Sequence, residues 1–118
     1  MSSDVQLVED LVARFPALEE PYHIHVFNED GLLPHVFFWD VVQEVVNSFV
    51  GNDPAGVDWR AVLSFLEEWL RRDIRQANEV ICTSFLWYLP HPGDPGHELV
   101  ALLGPATARK FREIRPLG

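Results

Sequence analysis

The chain has 118 residues, 47% of them hydrophobic and 12% aromatic, enough for one domain-sized core and too apolar for wholesale disorder. Its 18 acids against nine bases leave a formal charge of −9. That balance argues against a nucleic-acid binder, which needs cations to displace phosphate counterions, and no run of about 20 apolar residues offers a membrane span.

The opening MSSDVQLVED carries acids where a secretory leader has Lys or Arg before an apolar block. Cys82 is the single cysteine, so no internal disulfide can form and a reducing, cytoplasmic setting is expected. A first helix is predicted over Ser3–Phe15, capped by Ser3, with Val5, Val8, Leu11, Val12 and Phe15 at helical spacing. Pro16 ends it. The following ALEEPYHIHVFNEDG has no helical period. Tyr22, Ile24 and Val26 alternate with His23, His25 and Phe27, and Asn28 to Gly31 reads as a turn. The expectation there is an ordered loop at about 16–33.

Pro34 suits the first position of a second helix running to about Val50. Asp40, Gln43, Glu44 and Asn47 form one polar stripe on it, and apolar residues from Val36 to Phe49 cover the rest, the pattern of a central helix. GNDPAG, residues 51–56, is a loop by composition. Asp58 is placed to cap a third helix to about Arg72, and Asp73 to cap a fourth with Ile74, Ala77, Ile81, Phe85 and Tyr88 on its buried face. PHPGDPG is a stiff connector, Glu98–Leu103 a short helix ended by Gly104, and Pro105 opens a last helix to Ile114. The sum is an all-α, compact single domain over 1–118, of five or six helices packed as antiparallel pairs, with no internal repeat.

The chemistry-bearing residues form no diagnostic motif. His23, His25 and His35, with Asp30 or Glu29, would suit a metal ion if the first two lay on an extended segment. No H-E-x-x-H or second cysteine accompanies them, and His91 and His97 around PGDPG raise the same question. Ser64 and Ser84 lack a glycine-rich elbow and a matched base, and Cys82 falls among apolar neighbours as a small core residue. No catalytic residue and no cofactor are expected. Three of the four tryptophans are assigned to the core, and Trp87 and Tyr88, being adjacent, cannot both face it. The bases Arg71, Arg72, Arg75, Arg109, Lys110, Arg112 and Arg115 read as solvated helix ends.

Taken in order, LLPHVFFWD, LSFLEEWL, NEVICTSFLWYL and LLGPATARKFREI resemble a family of small, acidic, uncharacterised bacterial proteins. In these a Leu-Pro-His segment opens a helix, a Phe-Leu-Glu helix and a Ser-Phe stretch follow, and a Leu-Gly-Pro turn comes near the C-terminus. The resemblance spans roughly residues 5 to 115, and its motifs are short and mainly structural. Family members often carry Glu where this chain has Trp87. They look like immunity proteins of bacterial toxin systems, or proteins encoded near them, so the resemblance implies an interaction protein and carries over no catalytic residue.

Residues 1 to 70 hold thirteen acids and only Arg14 and Arg60 as bases, which suits a basic protein partner. The leading expectation is therefore a protein-interaction module of immunity type that occludes a basic toxin. Trp39, Asp40, Glu44, Asn47, Glu67 and Glu68 are the expected partner-binding residues. A metal-binding protein or metal-dependent hydrolase built on His23, His25 and His35 is the rival reading, and a homodimeric scaffold the third.

Overall fold

A computed structural model describes residues 2–51 and 55–118. Its order is α1 (Ser3–Arg14), a 3-10 turn (Pro16–Leu18), α2 (Glu19–Glu29), α3 (Pro34–Gly51), α4 (Trp59–Arg71), α5 (Arg75–Val80) running on as a π-helical segment (Ile81–Leu86), a 3-10 helix (His97–Leu102) and α6 (Pro105–Ile114). Counting α5 with its π continuation as one rod, and leaving the single 3-10 turn aside, the described residues form seven helical stretches and no strand. The all-α class is as expected, with one helix more. Of the loop expected over 51–56, residues 52–54 lie outside the described residues.

The additional helix is α2, which replaces the loop expected at 16–33. Pro21 is its third residue, where the missing N–H has no intrahelical acceptor to lose. Its inward face is Tyr22, His25 and Val26, while Ile24 and Phe27 point to solvent. A histidine on the core side and two large apolar residues outside hide the helical period. Asp30 closes the helix in the left-handed conformation, and the Gly31 N–H bonds back to the Val26 carbonyl (3.0 Å).

His25 is buried and joins α2 to α3. The Leu33 N–H donates to its Nε2 (3.0 Å), and the Phe37 ring lies against both it and Tyr22 (centroids 5.6 Å). Leu33 in turn supplies the carbonyl for the first bond of α3, from Phe37 (2.9 Å). Helix α3 runs through the centre with Phe37, Phe38, Val41, Val42 and Val45 in the core, packed on α4 and the π segment.

Asp58 caps α4 as expected, accepting from the Ala61 N–H (3.1 Å). Two other expected caps do not form. Ser2, not Ser3, precedes α1, and the Ser3 N–H bonds to Gln76 of α5 (3.0 Å). Asp73 takes a left-handed φ of 55° at the corner after α4 and accepts from the Asn78 side chain (2.9 Å), so Ile74, not Asp73, stands at the N-cap position of α5.

The rod does not stay α-helical. The Thr83 hydroxyl donates to the Glu79 carbonyl four residues back (2.7 Å), and the backbone widens until the Trp87 N–H reaches Cys82 O (3.2 Å). The wider turn displaces the buried face: Leu89 enters the core, and Tyr88, expected there, is turned out.

Two buried charges hold α6. Glu67 of α4 accepts from the N–H groups of Ala106 and Thr107 (2.9 Å each) and from the Thr107 hydroxyl. The approach is so close that a Cβ on Gly104 would lie 2.6 Å from Glu67 Oε1. At the other end Arg115, expected as a solvated helix end, is buried and donates to the carbonyls of Leu86, Trp87, Leu89 and Pro90.

Burial alone would push the Glu67 carboxyl up, but its bonds to Thr107 and Ala106, with Arg71 nearby, hold it below its usual value. A depressed folded pKa means stability that is full above the unfolded carboxylate pKa and is lost as pH falls through the folded one. Glu67→Gln should therefore lower stability at pH 7 by about 1–3 kcal/mol, and the deficit should shrink as the wild type is acidified through that range. Urea midpoints as a function of pH measure both. Gly104→Ala should cost about 1–3 kcal/mol by overpacking; an unchanged midpoint would contradict the close approach.

Candidate functional site

Along α3 the residues Val36, Trp39, Gln43, Asn47 and Val50 are exposed and recur every three or four positions, so they form one outward ridge. The expected polar stripe is thus part of a mixed face, because Val36, Trp39 and Val50 share it. The ridge has unlike flanks.

Toward α2, Asp40 and Glu44 sit one turn apart beside Glu20, Pro21, Ile24 and Ala17 in a groove of about 450 Å³. The ion pairs among the described residues, Arg71 with Glu68 and Lys110 with Glu113, involve none of these acids. Partial burial raises the Asp40 pKa, against a smaller opposing effect of His25. Glu44 is raised first by burial and then by the negative charges of Asp40 and Glu20.

Toward the π segment the chemistry is apolar. The Trp39 ring meets Tyr88 edge to face (5.0 Å, 82°). Beyond it lies a shallow depression of about 550 Å³ lined by Cys82, Thr83, Trp87, Tyr88 and Ile114. Trp39, Trp87 and Tyr88 are 46%, 52% and 46% exposed. Two of the four tryptophans are therefore on the surface. Trp69 is buried, and Trp59 is half-buried between Phe49 (5.0 Å) and Arg60 (4.8 Å).

The expected partner-binding residues divide. Trp39, Asp40, Glu44 and Asn47 share the α3 face. Glu67 does not belong to it: at 8% exposure its carboxylate is committed to α6. Glu68 is exposed, but it pairs with Arg71 (3.8 Å) and lines a separate depression with Trp59, Arg60 and Leu102.

The histidines do not converge. On a helix, His23 and His25 point about 200° apart, so the extended geometry that would have aimed both at one ion does not exist. His23 is exposed beside Tyr22, and His25 is buried on Leu33. His35 Nδ1 lies 2.6 Å from Ser84 Oγ and 3.4 Å from Thr83 Oγ1. Among the described residues no group of three His, Cys, Asp or Glu side chains is placed to hold a metal ion.

The His35–Ser84 pair, 49 positions apart in sequence, could not be read from spacing. It resembles a base and nucleophile only by residue type. Ser84 is buried, so the contact locks α3 to the π segment and offers no hydroxyl to a substrate. Cys82 is half-buried and not fully in the core as expected; burial, only partly opposed by Lys110, pushes its thiol pKa up, away from a reactive thiolate. No helix among the described residues is long and apolar enough to cross a membrane.

Comparison with protein-family models, curated proteins and solved structures finds no match to this chain.

A carboxyl whose folded pKa is raised weakens the fold above that pKa, and the penalty fades as pH falls toward its unfolded value. Glu44→Gln should therefore stabilise the fold at pH 7 by a few tenths of a kcal/mol, seen as a slightly higher thermal midpoint, the effect being small because water screens the partly exposed groove. The advantage over wild type should vanish on acidification. A midpoint lowered at pH 7 would mean that Glu44 has a stabilising partner.

Proposed function

We propose that the protein is a cytoplasmic interaction module of bacterial immunity type, which neutralises a basic partner such as a nuclease toxin by covering it with the acidic face of α3. The observation that carries this reading is the groove where Glu20, Asp40 and Glu44 lie together, outside the ion pairs of the described residues. Half-buried carboxylates of like charge destabilise the free protein, as the upward pKa shifts of Asp40 and Glu44 express. A Lys or Arg delivered by a partner would relieve that repulsion and convert it into binding free energy.

The formal charge of −9 supplies a long-range field that speeds encounter with a cationic protein and disfavours acidic ones. Trp39 and Asn47 extend the contact along α3, and Glu68 lies outside it. Occlusion asks for no chemistry from the chain itself, which suits a surface built of acids and aromatics. The resemblance of LLPHVFFWD and LLGPATARKFREI to immunity-like proteins supports the same class.

Co-purification from the native host, followed by mass spectrometry, tests the reading. The expected result is a basic protein in stoichiometric amount, released by salt, whose activity the purified chain inhibits. Asp40→Asn with Glu44→Gln should weaken that complex about tenfold or more. Recovery of monomer alone at moderate salt would overturn it.

A further inference from the structure

The two flanks of α3 differ in chemistry, and together they constrain what can lie across the helix. Half of three large aromatic side chains amounts to on the order of 300 Å² of apolar surface, and half-exposed Val36 adds to it. A contiguous patch of that size is in the range of the largest that monomers expose, which are often functional, and Trp and Tyr are the residues that dominate interface energies once desolvated.

The arginine stacks among the described residues fall on other rings: Arg14 lies over Phe15, Arg60 over Trp59, Arg72 over Trp69 and Arg115 over Phe111, and of these rings only Trp59 is half-buried, the others being in the core. No such stack among the described residues involves Trp39, Trp87 or Tyr88. A second copy of this chain would bring the same acids to the same face at a charge of −9 each, which opposes self-association. A purely cationic ligand would satisfy the acidic groove and leave the aromatic flank in water.

We infer that the outward face of α3 docks a basic amphipathic helix of a partner protein, with its Arg or Lys side chains along the Glu20–Asp40–Glu44 groove and its apolar stripe over Trp39, Tyr88 and Trp87. This rests on the acidic-face reading above and adds the form of the partner element and its second point of contact. The ridge between the flanks is one helix wide, and a helix with its side chains is about 10–12 Å across, enough to reach both sides. Recognition of this kind places apolar anchors at i, i+3, i+4 and i+7 with cations on the adjoining stripe.

Two synthetic peptides of about 15 residues, identical in Leu and Arg content, test the inference when titrated against the full chain by calorimetry and tryptophan fluorescence. One carries the residues at helical amphipathic spacing and the other scrambles them. The amphipathic peptide should bind at least about tenfold tighter. Trp39→Ala, a surface change whose folding is checked by circular dichroism, should abolish that preference and leave weak, salt-sensitive binding. Asp40→Asn with Glu44→Gln should weaken both peptides alike. Equal affinity for the two peptides overturns the docking inference and leaves the acidic-face reading standing. Failure of both peptides to bind at low salt removes both readings. Concentration-dependent dimerisation of the free chain, lost in Trp39→Ala, would give the face to a second copy and also overturn the inference.

Discussion

The carboxylate of Glu67 accepts two amide hydrogens and a hydroxyl at the first turn of α6, and the placement of the remaining helices follows from it. A buried carboxylate stripped of such partners costs several kcal/mol, so α4 and α6 cannot separate without a large penalty. With its N-terminus fixed, α6 carries Arg115 to the carbonyls that end the π segment. They lie where the helical bonding runs out, the Leu86 carbonyl keeping only a long bond from the Leu89 N–H (3.3 Å), and a cation there also suits the helix dipole. The termination in turn holds Trp87 and Tyr88 beside Trp39. The order of dependence runs from α4 through α6 to the rod, and from the rod to the surface of α3.

Acids of one chemical kind serve opposite purposes in this chain. Glu67 is saturated with donors and its pKa falls, so its charge stabilises the fold. Asp40 and Glu44 are partly desolvated without donors of that quality and their pKa values rise, so their charges oppose it. Groups held at such a disadvantage are concentrated at functional surfaces more often than in passive ones. The contrast also separates two residues that look alike in sequence: Glu67 and Glu68 are neighbours, one inside and one outside.

Helices whose periodic side agrees with their buried side were legible in the sequence. α3, α4 and α6 begin and end within a residue or so of expectation, because Pro34, Asp58 and Pro105 are strong local start signals. α2 was not legible, because the residue it buries most deeply is a histidine and two of its large apolar residues face water. Of the candidate surface, Trp39, Asp40, Glu44 and Asn47 could be placed together from spacing alone. The aromatic flank could not, since Trp87 and Tyr88 reach it only through a helix widened by the Thr83 hydroxyl. Glu67 and Arg115 were misplaced for a related reason: their partners are backbone groups distant in sequence, and charge alone predicts exposure.

The π turn also bears on how this surface can change over time. One residue more than α-helical geometry requires is accommodated between Val80 and Trp87, and that surplus decides whether Tyr88 or Leu89 faces water. Rewinding this stretch to an ordinary helix at unchanged length would exchange the two, whereas removing the surplus residue together with the π turn would leave both where they are. A chain of this build can therefore redraw part of its outward aromatic face by substitutions that change only the winding of one turn, with Leu89 as the core residue given up in exchange. Descendants of one ancestor could differ in partner while aligning almost perfectly.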